Sequence, residues 1–136
     1  MLVCNQNPEL NFAIANDKEL VGAIGLKPQE DVNRFSVEIG YWLAEPFWGK
    51  GIAVEAVKAL TEFAFNPDQV GIPFNRIFAG VFEGNTASEK VLQKAGYKRE
   101  AVLRKAVYKK GKFLDQHIYS ILIEELESFR FSNDKA

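Results

Sequence analysis

The sequence predicts an α/β protein, α+β in strict terms, built on a mixed and mostly antiparallel sheet flanked by helices. Three observations predict it. Apolar and polar residues alternate before Glu45, and helical spacing begins after Pro46. A β-prone run, a second helical segment and two further strands follow. The predicted order is β-β-β-α-β-α-β-β, and we interpret residues 1–136 as a single domain.

The first part of the chain predicts three strands. Residues 11–15 and 19–26 flank the turn signal Asn16-Asp17-Lys18, which favours a hairpin. Residues 34–43 form a third strand, because their side chains alternate between two faces. One face carries Phe35, Val37, Ile39 and Tyr41, and the other carries Ser36, Glu38, Gly40 and Trp42.

The next segment predicts a helix, a loop and a strand. Apolar residues recur at helical spacing from Ala53 to Ala64, and the helix should end before Pro67. Residues 66–75 contain two prolines and a glycine, so we expect a loop there. The apolar, β-prone run 76–82 predicts a buried strand.

The last part predicts a helix and a hairpin. Thr86 with Glu89 three residues later is a capping-box pattern, and Gly96 suits the position just after the helix. Strands are expected at 97–108 and 112–124, and the polar tail after Phe131 should fray. The predicted apolar face of this helix comprises Ala87, Val91, Leu92 and Ala95.

Composition excludes several classes of protein. The one cysteine, Cys4, and the one histidine, His117, exclude an internal disulfide, a Cys-based zinc site and a multi-His cluster, so we expect no metal. No apolar run is long enough to span a membrane and no signal pattern opens the chain, so we expect a cytoplasmic protein.

Charge is unevenly distributed. The net charge is only −1, but residues 94–112 hold eight bases and one acid. Such a stretch can meet an anionic ligand or nucleic acid, or it can be the solvated surface of a hairpin.

The strongest chemical signal is Trp48-Gly49-Lys50-Gly51-Ile52-Ala53, which follows a strand and opens a helix. The glycines permit a tight turn, and the helix start offers unsatisfied N–H donors to an anion such as a pyrophosphate. The alternative is an ordinary glycine-rich turn. The pattern is neither a P-loop nor a dinucleotide-binding fingerprint.

A second signal is Asn85-Thr86-Ala87-Ser88, at the mouth of the second helix. It follows the carboxyl end of a strand, where open α/β sheets place ligands. Taken alone, these polar residues are better explained as helix caps.

Four linked segments resemble the GNAT superfamily of acyl-CoA N-acyltransferases, in the branch of RimJ/RimL-like ribosomal-protein N-terminal acetyltransferases. The resemblance covers about residues 10–124. The segments are Glu38-Ile39-Gly40-Tyr41-Trp42-Leu43, Trp48 through Ala56, Asn85-Thr86-Ala87-Ser88, and Val91 through Tyr97.

The resemblance implies a site for acetyl-CoA, the acyl-donor co-substrate. The end of the third strand would pair its backbone with pantetheine, N–H groups from Gly49 to Val54 would hold the pyrophosphate, and Lys90 and Lys94 would meet the 3′-phosphate. The full implied set is Tyr41, Trp42, Leu43, Trp48, Gly49, Lys50, Gly51, Ile52, Ala53, Val54, Asn85, Ser88, Lys90 and Lys94.

The same resemblance implies acetyl transfer to a primary amine by direct attack in a ternary complex. Glu38 is the first candidate base, with substrate orientation as its alternative role, and Ser88 is the candidate donor to the leaving thiolate. Tyr97 and Tyr108 are rival acids. His117 is better read as a structural histidine, and Cys4 stands outside every motif.

The acceptor is not legible in the sequence: a protein N-terminus and a small-molecule amine both remain open. The competing functions are a non-catalytic acyl-CoA-binding or scaffold domain and a nucleic-acid binder, the latter disfavoured because no such motif matches. Homodimer formation is left as an open alternative. Against typical family members the chain looks N-terminally short, lacking the first strand and the two helices after it.

Overall fold

The computed structural model describes residues 2–4 and 10–128, and this part of the chain forms one seven-stranded sheet. The strands are β1 (Leu2–Cys4), β2 (Asn11–Ala15), β3 (Leu20–Pro28), β4 (Ser36–Leu43), β5 (Arg76–Phe82), β6 (Lys98–Lys109) and β7 (Lys112–Leu122). Their order is β1-β2-β3-β4-β5-β7-β6, and every neighbouring pair is antiparallel except β4 and β5. The predicted mixed, mostly antiparallel sheet is therefore confirmed.

Four helices accompany the strands, and the first and third of them stand where the two helices were predicted. They are α1 (Ile52–Ala64), α2 (Pro67–Val70), α3 (Thr86–Lys94) and α4, which is helical over residues 123–128, with short 3-10 turns at Asp31–Asn33 and Glu45–Phe47.

The core lies between α1, α3 and one face of the sheet. Alternate residues of β4, β5 and β7 point to that face and are almost fully buried, as period-two patterning requires. They pack with Val57 and Leu60 of α1 and Leu92 of α3, each of which is fully buried. The opposite face of β4 carries Glu38, Gly40 and Trp42, as the alternation predicted.

The N-terminal strand corrects one expectation. The resemblance implied that the first strand is missing, but Leu2–Cys4 pairs antiparallel with β2, with Leu2 opposite Ile14. Three residues are too few for a periodic pattern to reveal. The predicted fraying tail after Phe131 lies outside the described residues.

The predicted loop 66–75 also contains structure. Pro67 begins α2, where its missing N–H costs nothing, and the Asn66 side chain accepts a hydrogen bond from the Asp68 N–H at 3.1 Å. The same proline therefore ends α1 and starts a second short helix.

Strand β5 is half-buried rather than buried throughout. Ile77, Ala79 and Val81 are buried, whereas Gly80 between them is exposed. The prediction of a strand is confirmed. The prediction that it is buried is wrong for one of its faces, because helices pack on the other face only.

The last strand ends two residues earlier than predicted. Strand β7 stops at Leu122, and its N–H donates to the Glu125 carboxylate at 2.9 Å. That contact is half of a capping box, since Glu125 is the third residue of α4. The capping glutamate converts the end of the predicted strand into a helix start.

Candidate active site

Strands β4 and β5 diverge in the middle of the sheet. They pair in parallel only through Ser36, Val37 and Glu38, opposite Arg76, Ile77 and Phe78. Beyond these three pairs, β4 continues to Leu43 beside β3, and β5 continues to Phe82 beside β7. The divergence leaves one edge of β4 without a strand partner.

The register shows which backbone groups face this gap. The Ala44 N–H donates to the Val21 carbonyl at 2.8 Å, which makes Gly22–Leu43 a non-hydrogen-bonded pair. Alternate residues then direct their N–H and C=O groups away from β3. Tyr41 and Leu43 present both groups to the gap, whereas Ile39 presents only its C=O, because the parallel Glu38–Phe78 pair engages its N–H. An extended ligand could add here as a strand.

The glycine-rich loop leads from this edge into α1. Gly49 and Gly51 both have positive φ, 74° and 79°, which only glycine adopts without strain. Gly51 is the N-cap of α1 and supplies no side chain, so the first N–H groups of the helix have no side-chain cap. A Cβ at either glycine would meet nothing within 4 Å, so the loop is open to a ligand.

Trp48 ties this loop to β4. Its indole Nε1–H donates to the Leu43 carbonyl at 2.6 Å, although the side chain is 61% exposed. That carbonyl is therefore already satisfied, and Ile39 and Tyr41 are left with free groups facing the gap.

The start of α3 forms the opposite wall. Asn85 is the N-cap, and its Oδ1 accepts from the Ser88 N–H at 3.2 Å. The predicted Thr86 capping box is wrong: Glu89 instead contacts Nδ1 of His117 at 2.6 Å. Asparagine is as good a cap as threonine, and it stands one residue earlier.

Ser88 reaches across to the strand. Its Oγ lies 2.9 Å from the hydroxyl of Tyr41. Burial raises the pKa of Tyr41, with the Ser88 hydrogen bond acting in the opposite direction. The contact links β4 to α3, and both residues line the same cleft.

These walls enclose a cleft of about 400 Å³. Eight residues proposed from the resemblance line it: Tyr41, Trp42, Leu43, Trp48, Gly49, Ala53, Asn85 and Ser88. Lys50, Gly51, Ile52 and Val54 belong to the adjoining loop and helix start, while Lys90 and Lys94 are exposed on α3 and do not line it.

Sequence reasoning missed two apolar residues of this cleft. Ala87 and Val91 line it, and Ala87 is exposed rather than part of the core face predicted for α3. Its position one residue before Ser88, in the first turn of the helix, was the available signal.

A second cleft, of about 560 Å³, opens on the other side of β4. Glu38 lines it, and Lys27 lies directly opposite Glu38 on β3. Tyr41 and Trp42 line both clefts, so the two meet at the end of β4. Asn11 and Phe12 of β2 contribute to its wall, which sequence reasoning did not foresee.

The rival acids lie elsewhere. Tyr97 is 3% exposed, its hydroxyl is 2.8 Å from Thr61 Oγ1, and burial raises its pKa well above the ordinary value. Tyr108 lies on β6, is 66% exposed and packs against Phe113. Neither lines either cleft. His117 is half-buried against Glu89, in agreement with a structural role.

The basic stretch forms β6, the edge strand of the sheet. Two register shifts interrupt its pairing with β7, and most of its side chains are exposed. Lys98 pairs with Glu125 at 2.9 Å, and Lys109 stacks over Phe82. Lysines and bulges on an edge strand discourage pairing with other chains, which accounts for much of this charge.

The model of the acetyltransferase (GNAT) domain matches residues 2–98, well over half of the chain. The chain belongs to the GNAT acetyltransferase family. Residues 2–98 run from β1 to the start of β6 and so contain the diverging strands and the glycine loop of this GNAT chain.

Similarity to individual proteins supports the same family. The chain is 32% identical to the uncharacterized N-acetyltransferase p20 of Bacillus licheniformis over 88% of its length, and 36% identical to the putative ribosomal N-acetyltransferase YdaF of Bacillus subtilis over 82%. Among solved structures, it resembles RimJ of Mycobacterium smegmatis in complex with CoA-disulfide, with a TM-score of 0.76, 32% identity and coverage of 86% of this chain.

The chain is shorter than these relatives. It spans 65% of p20, 58% of YdaF and 54% of the RimJ chain. Across the described residues of this GNAT chain, no helix is both long and apolar enough to cross a membrane.

Proposed function

We propose that this GNAT chain transfers an acetyl group from acetyl-CoA to a primary amine by direct attack in a ternary complex. The observation that carries the proposal is the junction of two clefts at the end of β4. One adjoins the unpaired strand edge and the uncapped helix start, and the other contains Glu38. A thioester carbonyl placed at the junction is accessible from both.

The donor cleft, defined by the lining residues given above, suits the parts of acetyl-CoA in order. The free backbone groups of Ile39 and Tyr41 can pair with the pantetheine amides, as a strand would. The N–H groups from Gly49 to Val54 and the positive end of the α1 dipole suit the pyrophosphate. Lys90 and Lys94, exposed and one turn apart on α3, are proposed to meet the 3′-phosphate.

The chemistry needs a neutral amine. A peptide α-amino group has a pKa of about 7.7–8.0, so a proton must leave before the nitrogen lone pair can attack. Glu38 is proposed to accept it, directly or through water. The new C–N bond then displaces the sulfur, which leaves with the C–S electron pair, and the Ser88 hydroxyl is proposed to donate a hydrogen bond to it.

The acceptor is proposed more broadly. The names of YdaF and of the ribosomal-protein-serine acetyltransferase of Escherichia coli point to ribosomal proteins, and a protein N-terminus is the primary amine that we propose. A small-molecule amine fits the same chemistry. Homodimerisation and a cytoplasmic location stay predictions, and nothing in the site favours a purely non-catalytic role.

Two measurements test the proposal. Titration calorimetry with acetyl-CoA should show binding, and thiol release should depend on an added amine from a panel of peptides with N-terminal serine or alanine and spermidine. Absence of acetyl-CoA binding to the folded chain overturns the proposal. Binding without amine-dependent release across the panel would favour a non-catalytic acyl-CoA-binding domain.

A further inference from the structure

The proposed pairing of the β4 backbone with a ligand does not explain where the Tyr41 side chain lies. Pairing with an extended ligand needs only the main chain of this strand, yet the Tyr41 hydroxyl crosses to α3 and lies 2.9 Å from Ser88 Oγ. Both residues line the donor cleft. We propose that Tyr41 is a positioning residue that turns the Ser88 hydroxyl proton towards the sulfur of the bound donor.

The direction of this hydrogen bond follows from the chemistry of the two hydroxyls. A phenol is a much stronger acid than an aliphatic alcohol, so Tyr41 is the better donor and Ser88 the better acceptor of the pair. Burial raises the pKa of Tyr41, which keeps the phenol protonated. With its lone pair engaged by Tyr41, Ser88 has its own O–H free to donate into the cleft.

The backbone fixes Ser88 in this role. Its N–H is held by the Asn85 cap at 3.2 Å, so the residue is anchored in the first turn of α3. The Ser88 hydroxyl can still rotate about its side-chain torsion. Tyr41 is therefore the contact that restricts which way the hydroxyl proton points.

This role rests on the proposed function and adds a specific step to it. When the amine nitrogen forms its bond to the carbonyl carbon, the C–S electron pair passes to sulfur. Ser88 stabilises that charge by hydrogen bonding, and Tyr41 strengthens the Ser88 donor by polarising it. The sulfur takes its proton from Glu38, directly or through water, after that carboxylate has accepted the proton of the amine, so neither hydroxyl loses one.

The test uses CoA itself, whose free thiol reports on the same contact without turnover. Ultraviolet absorbance of the thiolate gives the pKa of the bound thiol in the wild-type chain, Tyr41→Phe, Ser88→Ala and the double variant. Tyr41→Phe and Ser88→Ala should each lower the acid dissociation constant of the bound thiol by roughly threefold to tenfold. The double variant should match Ser88→Ala alone, because Tyr41 acts through Ser88.

The matched control is Tyr108→Phe, which removes an exposed hydroxyl on β6 and should leave the bound thiol unchanged. Melting temperatures and calorimetric CoA affinity identify any variant that has lost its fold. An unchanged thiol in Tyr41→Phe, or a full additional effect of Tyr41→Phe in the Ser88→Ala background, overturns this role alone. Failure of the wild-type chain to bind CoA overturns the proposed function and this role together.

Discussion

Glu38 is the carboxylate of the second of the two clefts described above, which is the acceptor cleft under the proposed function. It lies on the sheet face opposite the core and belongs to the last of the three parallel pairs between β4 and β5, where it is paired with Phe78. The sequence placed it there through simple alternation with Val37 and Ile39. What alternation did not reveal is its neighbour Lys27, because cross-strand register depends on the pairing of β3 with β4.

Glu38→Gln should lower kcat by about tenfold or more while leaving acetyl-CoA affinity unchanged. The amide keeps the shape of the side chain but cannot accept a proton from the ammonium. Steady-state kinetics with any active acceptor, together with calorimetry, checks both halves. Glu19→Gln, in the exposed turn before β3, is the control. Equal turnover in Glu38→Gln and wild type would remove Glu38 as the base.

The glycine loop is the element that, under the proposed function, positions the phosphate-binding groups. Its two glycines have positive φ and open surroundings, the start of α1 has no side-chain cap, and the Trp48 indole fixes the beginning of the loop to the end of β4. The sequence revealed the glycines because their positions suited a tight turn. It could not reveal the indole contact, which depends on how β4 ends.

Gly51→Ala should destabilise the chain by about 1 kcal/mol and weaken acetyl-CoA binding by roughly fivefold. A Cβ finds open space there, so the cost comes from the left-handed backbone alone, and relief of that strain displaces the N–H groups. Gly71→Ala is a close match, with a φ of 83°, open surroundings and a position after α2. Chemical denaturation should show similar losses for both variants, whereas calorimetry should show weaker binding only for Gly51→Ala. Equal affinities would contradict the assigned role of the loop.

At the scale of the whole molecule, Glu125 of α4 joins the helix to the last two strands, β6 and β7. The carboxylate bonds Lys98 of β6 and the Leu122 N–H at the end of β7, and these contacts, the Lys98 bond first, lower its pKa below the ordinary value near 4.5. A lowered folded-state pKa adds stability that is present above pH 4.5. That contribution is lost as the pH falls through the folded value.

Glu125→Gln should therefore melt at a lower temperature than wild type at pH 7, by an amount equivalent to about 0.5 kcal/mol. It should also show a shallower loss of stability below pH 4.5. Gln keeps the cap on Leu122 but not the charge opposite Lys98. Thermal melts over a pH series check this, with the exposed neighbour Glu124→Gln as the control. Parallel pH profiles for Glu125→Gln and wild type would show that the carboxylate contributes nothing.

Much of the fold was predictable because the strands and helices carry clear periods. The exceptions have two physical causes: a neighbouring side chain takes a helix cap that the pattern did not assign to it, or the element is too short. Asn85 takes the cap expected of Thr86, Glu125 turns a strand end into a helix, and β1 is too short to show a period. The motifs of the resemblance named most of the residues that line the donor cleft. The Tyr41–Ser88 contact and the β2 wall of the acceptor cleft depend on how distant segments pack, so only the structure reveals them.

The parting of β4 from β5 has a consequence for the lifetime of the protein. Only three residue pairs join the two strands, so part of the β4 edge has no backbone hydrogen-bond partner. A ligand that binds as a strand would supply the missing hydrogen bonds. A ligand that binds only the folded chain also stabilises it against unfolding, by an amount that grows with the logarithm of the ligand concentration above its Kd. Under the proposed function, the concentration of the acyl donor would therefore affect the stability of the folded chain as well as its rate of catalysis.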